Sequence, residues 1–213
     1  MPNDSCDAQK AILLRYAGAV HEYLMKVTRD EHTANDLSQE FAYRFLRGDF
    51  RNVVPEKGRF RDFLKKSLNN LVNDWHRRRQ AQVRMLQSKM SGTDNAHSGS
   101  GVETSFDRIW RKEIIRRTWE ALDATDNASQ LYLAQVLKFR AQNPDLTSAE
   151  TARQLSDQLD RKMTAESVRQ ILVRARKLFG ELLKIEISQL IDSHDPAEIA
   201  DELQDLQLLK YCE

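Results

Sequence analysis

Residues 147–183 read TSAETARQLSDQLDRKMTAESVRQILVRARKLFGELL, and this run decides the fold class. Thr147 and Glu150 form the T-x-x-E pair of a capping box, opening a helix with apolar positions Ala152, Leu155 and Leu159. Asp160 to Met163 then make a short turn. Thr164 caps a longer helix that turns Val168, Ile171, Leu172, Ala175, Leu178, Phe179, Leu182 and Leu183 inward. A short helix, a turn and a longer basic helix describe a helix-turn-helix. Ala165, Glu166, Ser167, Arg169, Gln170 and Val173 occupy the outer side of its first two turns, where such helices meet base edges. Arg174, Arg176 and Lys177 are better placed for phosphates. The same motif also serves as a pure packing unit, so DNA binding needs support from the rest of the chain.

Working outward, Trp110, Ile114, Ile115, Thr118 and Leu122 are spaced for one helix. Leu131, Leu133, Val136, Leu137 and Phe139 suggest another, stopped near Asn143-Pro144. Before them lies SKMSGTDNAHSGSGVETS, residues 88–105, which holds three of the seven glycines and almost no large apolar side chain. That composition reads as a flexible linker. Further upstream, Ala11, Leu14, Tyr16, Val20, Tyr23, Leu24 and Val27 recur at helical spacing. Thr33 is the expected N-cap of a second helix, with Asp36 at its third position, Leu37, Phe41 and Phe45 on one face and Gly48 at its end. A loop over 51–57, containing Pro55, leads to Gly58 and a third helix with Phe60, Phe63, Leu64, Leu68, Leu71, Val72 and Trp75 as its stripe. Seven Gly and four Pro in 213 residues leave little for strand-to-strand turns. The expected fold is all-α: two small helical domains joined by a flexible linker, the second a helix-turn-helix domain. The expected boundaries are 5–87, a linker over 88–106, 107–187, and an acidic C-terminal extension over 188–213.

The net charge of +1 conceals an asymmetry. From Lys57 to Lys89 ten basic residues face only Asp62 and Asp74, whereas from Glu186 to Glu213 eight acids face Lys210 alone. Clustered positive charge is the usual footprint of a phosphate backbone. On the third helix, the face opposite the apolar stripe carries Lys65, Lys66, Asn69, Asn70, Asn73, Asp74, His76 and Arg77, followed by Arg78 and Arg79. Asn can bond two edge atoms of adenine and Arg those of guanine, so this face suits DNA better than a merely solvated helix, where Glu would alternate with Lys. The second helix exposes a different row, Asp36, Gln39, Glu40 and Tyr43, suited to a basic or amide-bearing protein surface.

Several function classes are disfavoured. The chain has no phosphate loop, no Gly-x-Ser-x-Gly elbow and no His-Glu-x-x-His, and its histidines (21, 32, 76, 97 and 194) are scattered. An enzyme is therefore not expected, nor any cofactor. Asp36 and Glu40 lack a third ligand at suitable spacing, and Cys6 and Cys212 lie near opposite ends, so neither a metal site nor a disulfide framework is indicated. No apolar run approaches the roughly 20 residues of a membrane span, and MPNDSCDAQK lacks the layout of a secretory signal, so a cytoplasmic protein without membrane insertion is expected.

The runs Thr33-Ala-Asn-Asp-Leu-Ser-Gln-Glu-Phe, Phe45-Leu, Pro55-Glu-Lys-Gly-Arg-Phe-Arg-Asp-Phe-Leu and Asn69-Asn-Leu-Val-Asn-Asp-Trp-His-Arg-Arg-Arg together resemble the core-binding and promoter-melting region of bacterial RNA polymerase sigma factors, most of all the extracytoplasmic-function group. Glu150-Thr-Ala-Arg-Gln-Leu and Ser167-Val-Arg-Gln-Ile-Leu-Val-Arg-Ala-Arg-Lys-Leu-Phe resemble that group's upstream-promoter-binding helix-turn-helix. The resemblance covers about 10–80 and 108–205, in the family's order, and implies a sigma factor with core RNA polymerase and promoter DNA as partners.

It implies roles residue by residue. Asp36, Leu37, Gln39, Glu40 and Tyr43 would bind the polymerase. Arg61, Lys65, Lys66, Asn69, Asn70, Asn73, His76, Arg77, Arg78 and Arg79 would capture the downstream element and its unpaired strand. Thr164, Glu166, Ser167, Arg169, Gln170, Arg174, Arg176 and Lys177 would serve the upstream element. The turn Asp160-Arg-Lys-Met is longer than the family's Gly-containing one. The alternative is a helix-turn-helix regulator that does not engage core polymerase, which leaves the Asp36 row and the Asn-rich face without work.

Asp195 and Pro196 open a last helix with Ile199, Leu203 and Leu206 as its stripe. An extension of the C-terminal core is the favoured reading. The rival is an autoinhibitory partner for the basic surface, a role an anti-sigma factor would also fill.

Overall fold

The computed structural model describes residues 3–47, 60–87, 100–129, 131–191 and 193–212. They form eight α-helices and one short 3-10 turn, with no strand among the described residues, so the all-α expectation holds. The chain divides into two compact units, Met1–Trp110 and Arg111–Glu213.

The first unit contains α1 (Asn3–Thr28), α2 (Glu31–Arg47), α3 (Phe60–Gln87) and the start of α4 (Ser100–Ser129). Its core draws Leu13, Tyr16, Val20, Tyr23 and Leu24 from α1, Leu37 and Phe41 from α2, and Leu64, Leu68, Leu71 and Val72 from α3. Each such buried leucine contributes about 1.5–3 kcal/mol against exposure. The spacing misplaces the start of the α1 stripe: Leu14 is 76% exposed and Ala11 is exposed, while Leu13 is buried. Helix α2 also begins earlier than expected. Asp30 accepts hydrogen bonds from Thr33 N at 2.8 Å and Thr33 Oγ1 at 2.5 Å, so Asp30 is the cap and Thr33 lies inside the helix. A carboxylate satisfies the orphan amides of a first turn at least as well as a hydroxyl.

The expected end of α2 at Gly48, the loop over 51–57 and the start at Gly58 lie outside the described residues, as does most of the linker expected over 88–106. Its final part does not: α4 starts at Ser100, and Phe106 is buried in the first unit's core with Ile109 and Trp110. Trp110 stacks on Tyr16 with centroids 4.5 Å apart and on Phe106 at 5.4 Å, and Phe106 meets the edge of Tyr23 at 5.4 Å. The boundary between the units thus falls within a helix, past Trp110, rather than at residue 106.

The second unit contains the remainder of α4, α5 (Leu133–Gln142), α6 (Ser148–Gln158), α7 (Ala165–Ile191), α8 (Pro196–Asp205) and the 3-10 turn Leu209–Tyr211. Val136, Ala152, Leu155, Val168 and Leu172 form a cluster joining α5, α6 and α7. The capping box at Thr147 and Glu150 is present, and Asn143 ends α5 as expected. Leu131 is 47% exposed rather than part of that core. Asp126, on α4, accepts from Leu133 N at 2.8 Å and Ala134 N at 2.9 Å, so a buried carboxylate caps α5 from another helix. Arg117 of α4 donates to the buried Glu186 of α7 at 2.8 Å.

Asp195 accepts from Ala197 N at 2.9 Å with Pro196 at the first position, and α8 packs on α7 through Leu203. Leu206 and Leu208 are buried beyond it. Phe179 lies between Trp119 and Tyr211, at 4.8 Å and 6.2 Å. Leu203, Leu206 and Leu208 of the C-terminal segment are thus part of the second unit's core.

Candidate polymerase- and DNA-binding surfaces

Helix α2 buries Leu37 and Phe41, which fixes the outward direction of the residues between them. Asp36 and Gln39 are exposed and Tyr43 is 63% exposed, so they share an outer row. Leu37 does not belong to that row: at 3% exposure it is a core residue that orients the others. Glu40 is partly covered, accepting from Arg44 on its own helix and from Arg78 of α3 at 3.2 Å. Tyr43 lies beneath the Arg47 guanidinium at 5.9 Å.

Helix α3 divides its expected DNA-binding residues into two groups. Arg61 is 7% exposed and donates to Asp107 at 2.9 Å, and Lys65 donates to the other oxygen of the same carboxylate at 2.9 Å. Asn69 accepts from the Tyr23 hydroxyl at 2.8 Å. These three are held by the unit's own structure. Lys66, Asn70, Asn73, Arg77, Arg78 and Arg79 are exposed. With Asp62, the residues Lys65, Lys66, Asn69 and Asn70 line an open depression of about 430 Å³, where amide and ammonium groups converge. His76 is half-buried beside Trp75, with ring centroids 4.5 Å apart, and Arg79 lies over the same indole at 5.3 Å. Asp74 keeps some negative charge on this helix, 3.7 Å from Arg77 and 4.0 Å from Arg44.

On α7, Thr164 and Ser167 cap one another: Ser167 N donates to Thr164 Oγ1 at 3.1 Å and Thr164 N to Ser167 Oγ at 2.9 Å. Both hydroxyls are therefore engaged in opening the helix. Glu166 accepts from Arg169 at 2.7 Å and Gln170 at 3.2 Å, and these bonds hold its carboxyl below the usual range. Arg169, Gln170, Val173, Arg174, Arg176 and Lys177 are exposed along the same helix. The long turn is closed by Asp160 in the left-handed conformation at φ 46°, the place a glycine would take without strain. Arg161 and Lys162 project from it, Arg161 over the Tyr132 ring at 4.8 Å, beside Gln170 and Arg174.

Sequence reasoning missed Asp107 and Asp126. Each is an acid whose partners lie on other helices, and no spacing rule reports a carboxylate that caps or neutralises a distant element. The described residues hold no group of three or more His, Cys, Asp or Glu suited to a metal ion. No described helix is long and apolar enough to cross a membrane.

Residues 12–82 match the family model for Sigma-70 region 2, about a third of the chain. The match takes in α2 with its exposed row and α3 through Gln82. No curated protein and no solved structure matches the chain.

Proposed function

We propose that this protein is a sigma factor of the extracytoplasmic-function group, which docks on core RNA polymerase and directs promoter recognition, melting and initiation. The observation that carries the reading is the region 2 match, because one continuous segment contains both the exposed Asp36, Gln39 and Tyr43 row and the basic, Asn-rich outer face of α3. Asp36, Gln39, Glu40 and Tyr43 are the polymerase handle, with Leu37 as their support. Lys66, Asn70, Asn73, Arg77, Arg78 and Arg79 receive the downstream element. Lys and Arg neutralise phosphates, while Asn amides bond the edges of unstacked bases. Helix α7, through Arg169, Gln170, Arg174, Arg176 and Lys177, reads the upstream element from the major groove. Two tethered weak contacts give a usable affinity because the second is made at a high effective concentration. The factor forms and breaks no covalent bond itself.

Co-purification with core polymerase tests the handle. Wild-type protein is retained, whereas Asp36→Arg, a substitution at an exposed position, loses retention while its helicity by circular dichroism is unchanged. Equal retention of the two proteins contradicts the docking role.

A further inference from the structure

Arg29 ends α1 in the left-handed conformation, at φ 55°, where glycine is the residue that avoids a steric cost. Its backbone N–H closes the helix by donating to Met25 O at 2.9 Å, a bond glycine would make equally well. The turn itself therefore requires no side chain, and the helix dipole favours a cation at this end by only about 0.3–1 kcal/mol. What Arg29 adds is an exposed guanidinium on the wall of an open cleft of about 640 Å³, within the first unit. The opposite wall is the C-terminal half of α3, with Trp75, Arg78, Arg79 and Gln82.

Three arginines thus line the cleft from two separate elements, Arg78 also donating to Glu40 at 3.2 Å. Arg79 is steadied over the Trp75 indole at 5.3 Å, a cation–π contact that limits its freedom before any ligand arrives. The acidic residue of the lining, Asp30, has its carboxylate turned to Thr33, whose amide and hydroxyl hold it below the usual carboxyl range. Its negative charge is offset locally by the first turn of α2. A planar, forked cation set with a Gln amide is the arrangement that grips phosphate oxygens.

We propose that this cleft is a phosphodiester-binding site in which Arg29, from the turn between α1 and α2, joins Arg78 and Arg79 in holding a strand of the promoter DNA. Arg29 lies outside the Asn-rich face and binds without reading sequence, because phosphate contacts position a duplex rather than specify it. The site continues the basic run of α3 beyond Arg77. This rests on the function proposed above.

Salt-dependent binding of the full chain to a forked DNA, with a duplex arm and a single-stranded arm, tests it. Arg29→Gly removes the guanidinium while retaining the left-handed turn, so its melting temperature stays at or above that of wild type. We expect several-fold weaker binding, by a similar factor on unrelated sequences, and a slope of log K against log salt reduced by about 0.9 for the lost phosphate contact. Arg29→Lys restores most of that slope. Wild-type affinity and slope in Arg29→Gly overturn the cleft and leave the proposed function standing. Absence of DNA binding by the wild-type chain at low salt overturns both. A loss in Arg29→Gly confined to a free nucleoside monophosphate, with DNA binding intact, assigns the cleft to a small ligand and contradicts the strand contact.

Discussion

Asp107 Oδ1 accepts a hydrogen bond from Arg61 Nη1 at 2.9 Å, joining the start of α4 to the start of α3 across 46 residues of sequence. The second oxygen of that carboxylate takes Lys65 at 2.9 Å. A cation this buried cannot lose a partner cheaply, and Asp62 lies farther off, at 4.0 Å.

Asp107→Asn removes that charge and leaves the Arg61 side chain, 8% exposed, facing a neutral amide. Asp107 itself is 35% exposed, so solvent moderates the loss and we expect about 1–3 kcal/mol of destabilisation. At about 2–4 °C for each kcal/mol in a chain of this size, the change is readable in a thermal melt. Arg61→Ala behaves likewise, lowering stability rather than the salt dependence of DNA binding. An Arg61→Ala protein that melts as wild type but has a shallower salt slope would return this residue to the phosphate contacts.

The opening of α6 and the stripe of α7 were legible because their signals are local. Thr147 and Glu150 cap across three residues, and the α7 stripe needs only the helical period. The cap of α2 was misassigned because Asp30 and Thr33 both satisfy cap chemistry, and they bond to one another. The path of α4 was illegible for a different reason. Its first turns are Gly- and Ser-rich, the composition of a linker, yet Phe106, Ile109 and Trp110 find their burial against Tyr16 and Tyr23. Tertiary packing there overrides local composition. Among the site residues, exposure on α2 followed from the period, but the capture of Arg61, Lys65 and Asn69 by Asp107 and Tyr23 depends on contacts more than forty residues away.

The capping box makes the opening of α6 sensitive to acid. Glu150 accepts from Thr147 N at 2.7 Å and Thr147 Oγ1 at 2.7 Å, which lowers its pKa below the ordinary 4.5. A carboxyl depressed by folding contributes stability above its unfolded pKa and loses it as the pH falls through the folded value. The protection factors of the Glu150 and Thr151 amides, taken against the intrinsic exchange rate at each pH, should therefore fall below about pH 4.5 and be steady above it. Thr147→Ala removes the hydroxyl bond and brings the Glu150 titration, followed by NMR, back toward 4.5. An unmoved titration would refute the cause assigned here.

Gly180 sits in mid-helix on α7, where a Cβ would lie 3.0 Å from Tyr211 O and 3.1 Å from Cys212 Cα. Gly180→Ala sets two effects against each other. Helix propensity favours alanine by about 1 kcal/mol, while the contact pushes the C-terminal segment outward. The melting temperature should barely move, but the segment should loosen. Cys212 reports this directly, because burial raises its thiol pKa and keeps it slow to alkylate. In a Cys6→Ser background, alkylation of Cys212 at pH 8 should be faster in Gly180→Ala than in the parent, and both rates should rise with pH. Identical rates would mean that the segment yields without opening.

The most direct measurement is template-directed initiation by sigma-free core polymerase on genomic DNA of the source cell, with and without the purified chain. We expect discrete new start sites that appear only with the protein and vanish with Asp36→Arg. Transcript patterns identical in the presence and absence of the wild-type chain would contradict its assignment as an initiation factor.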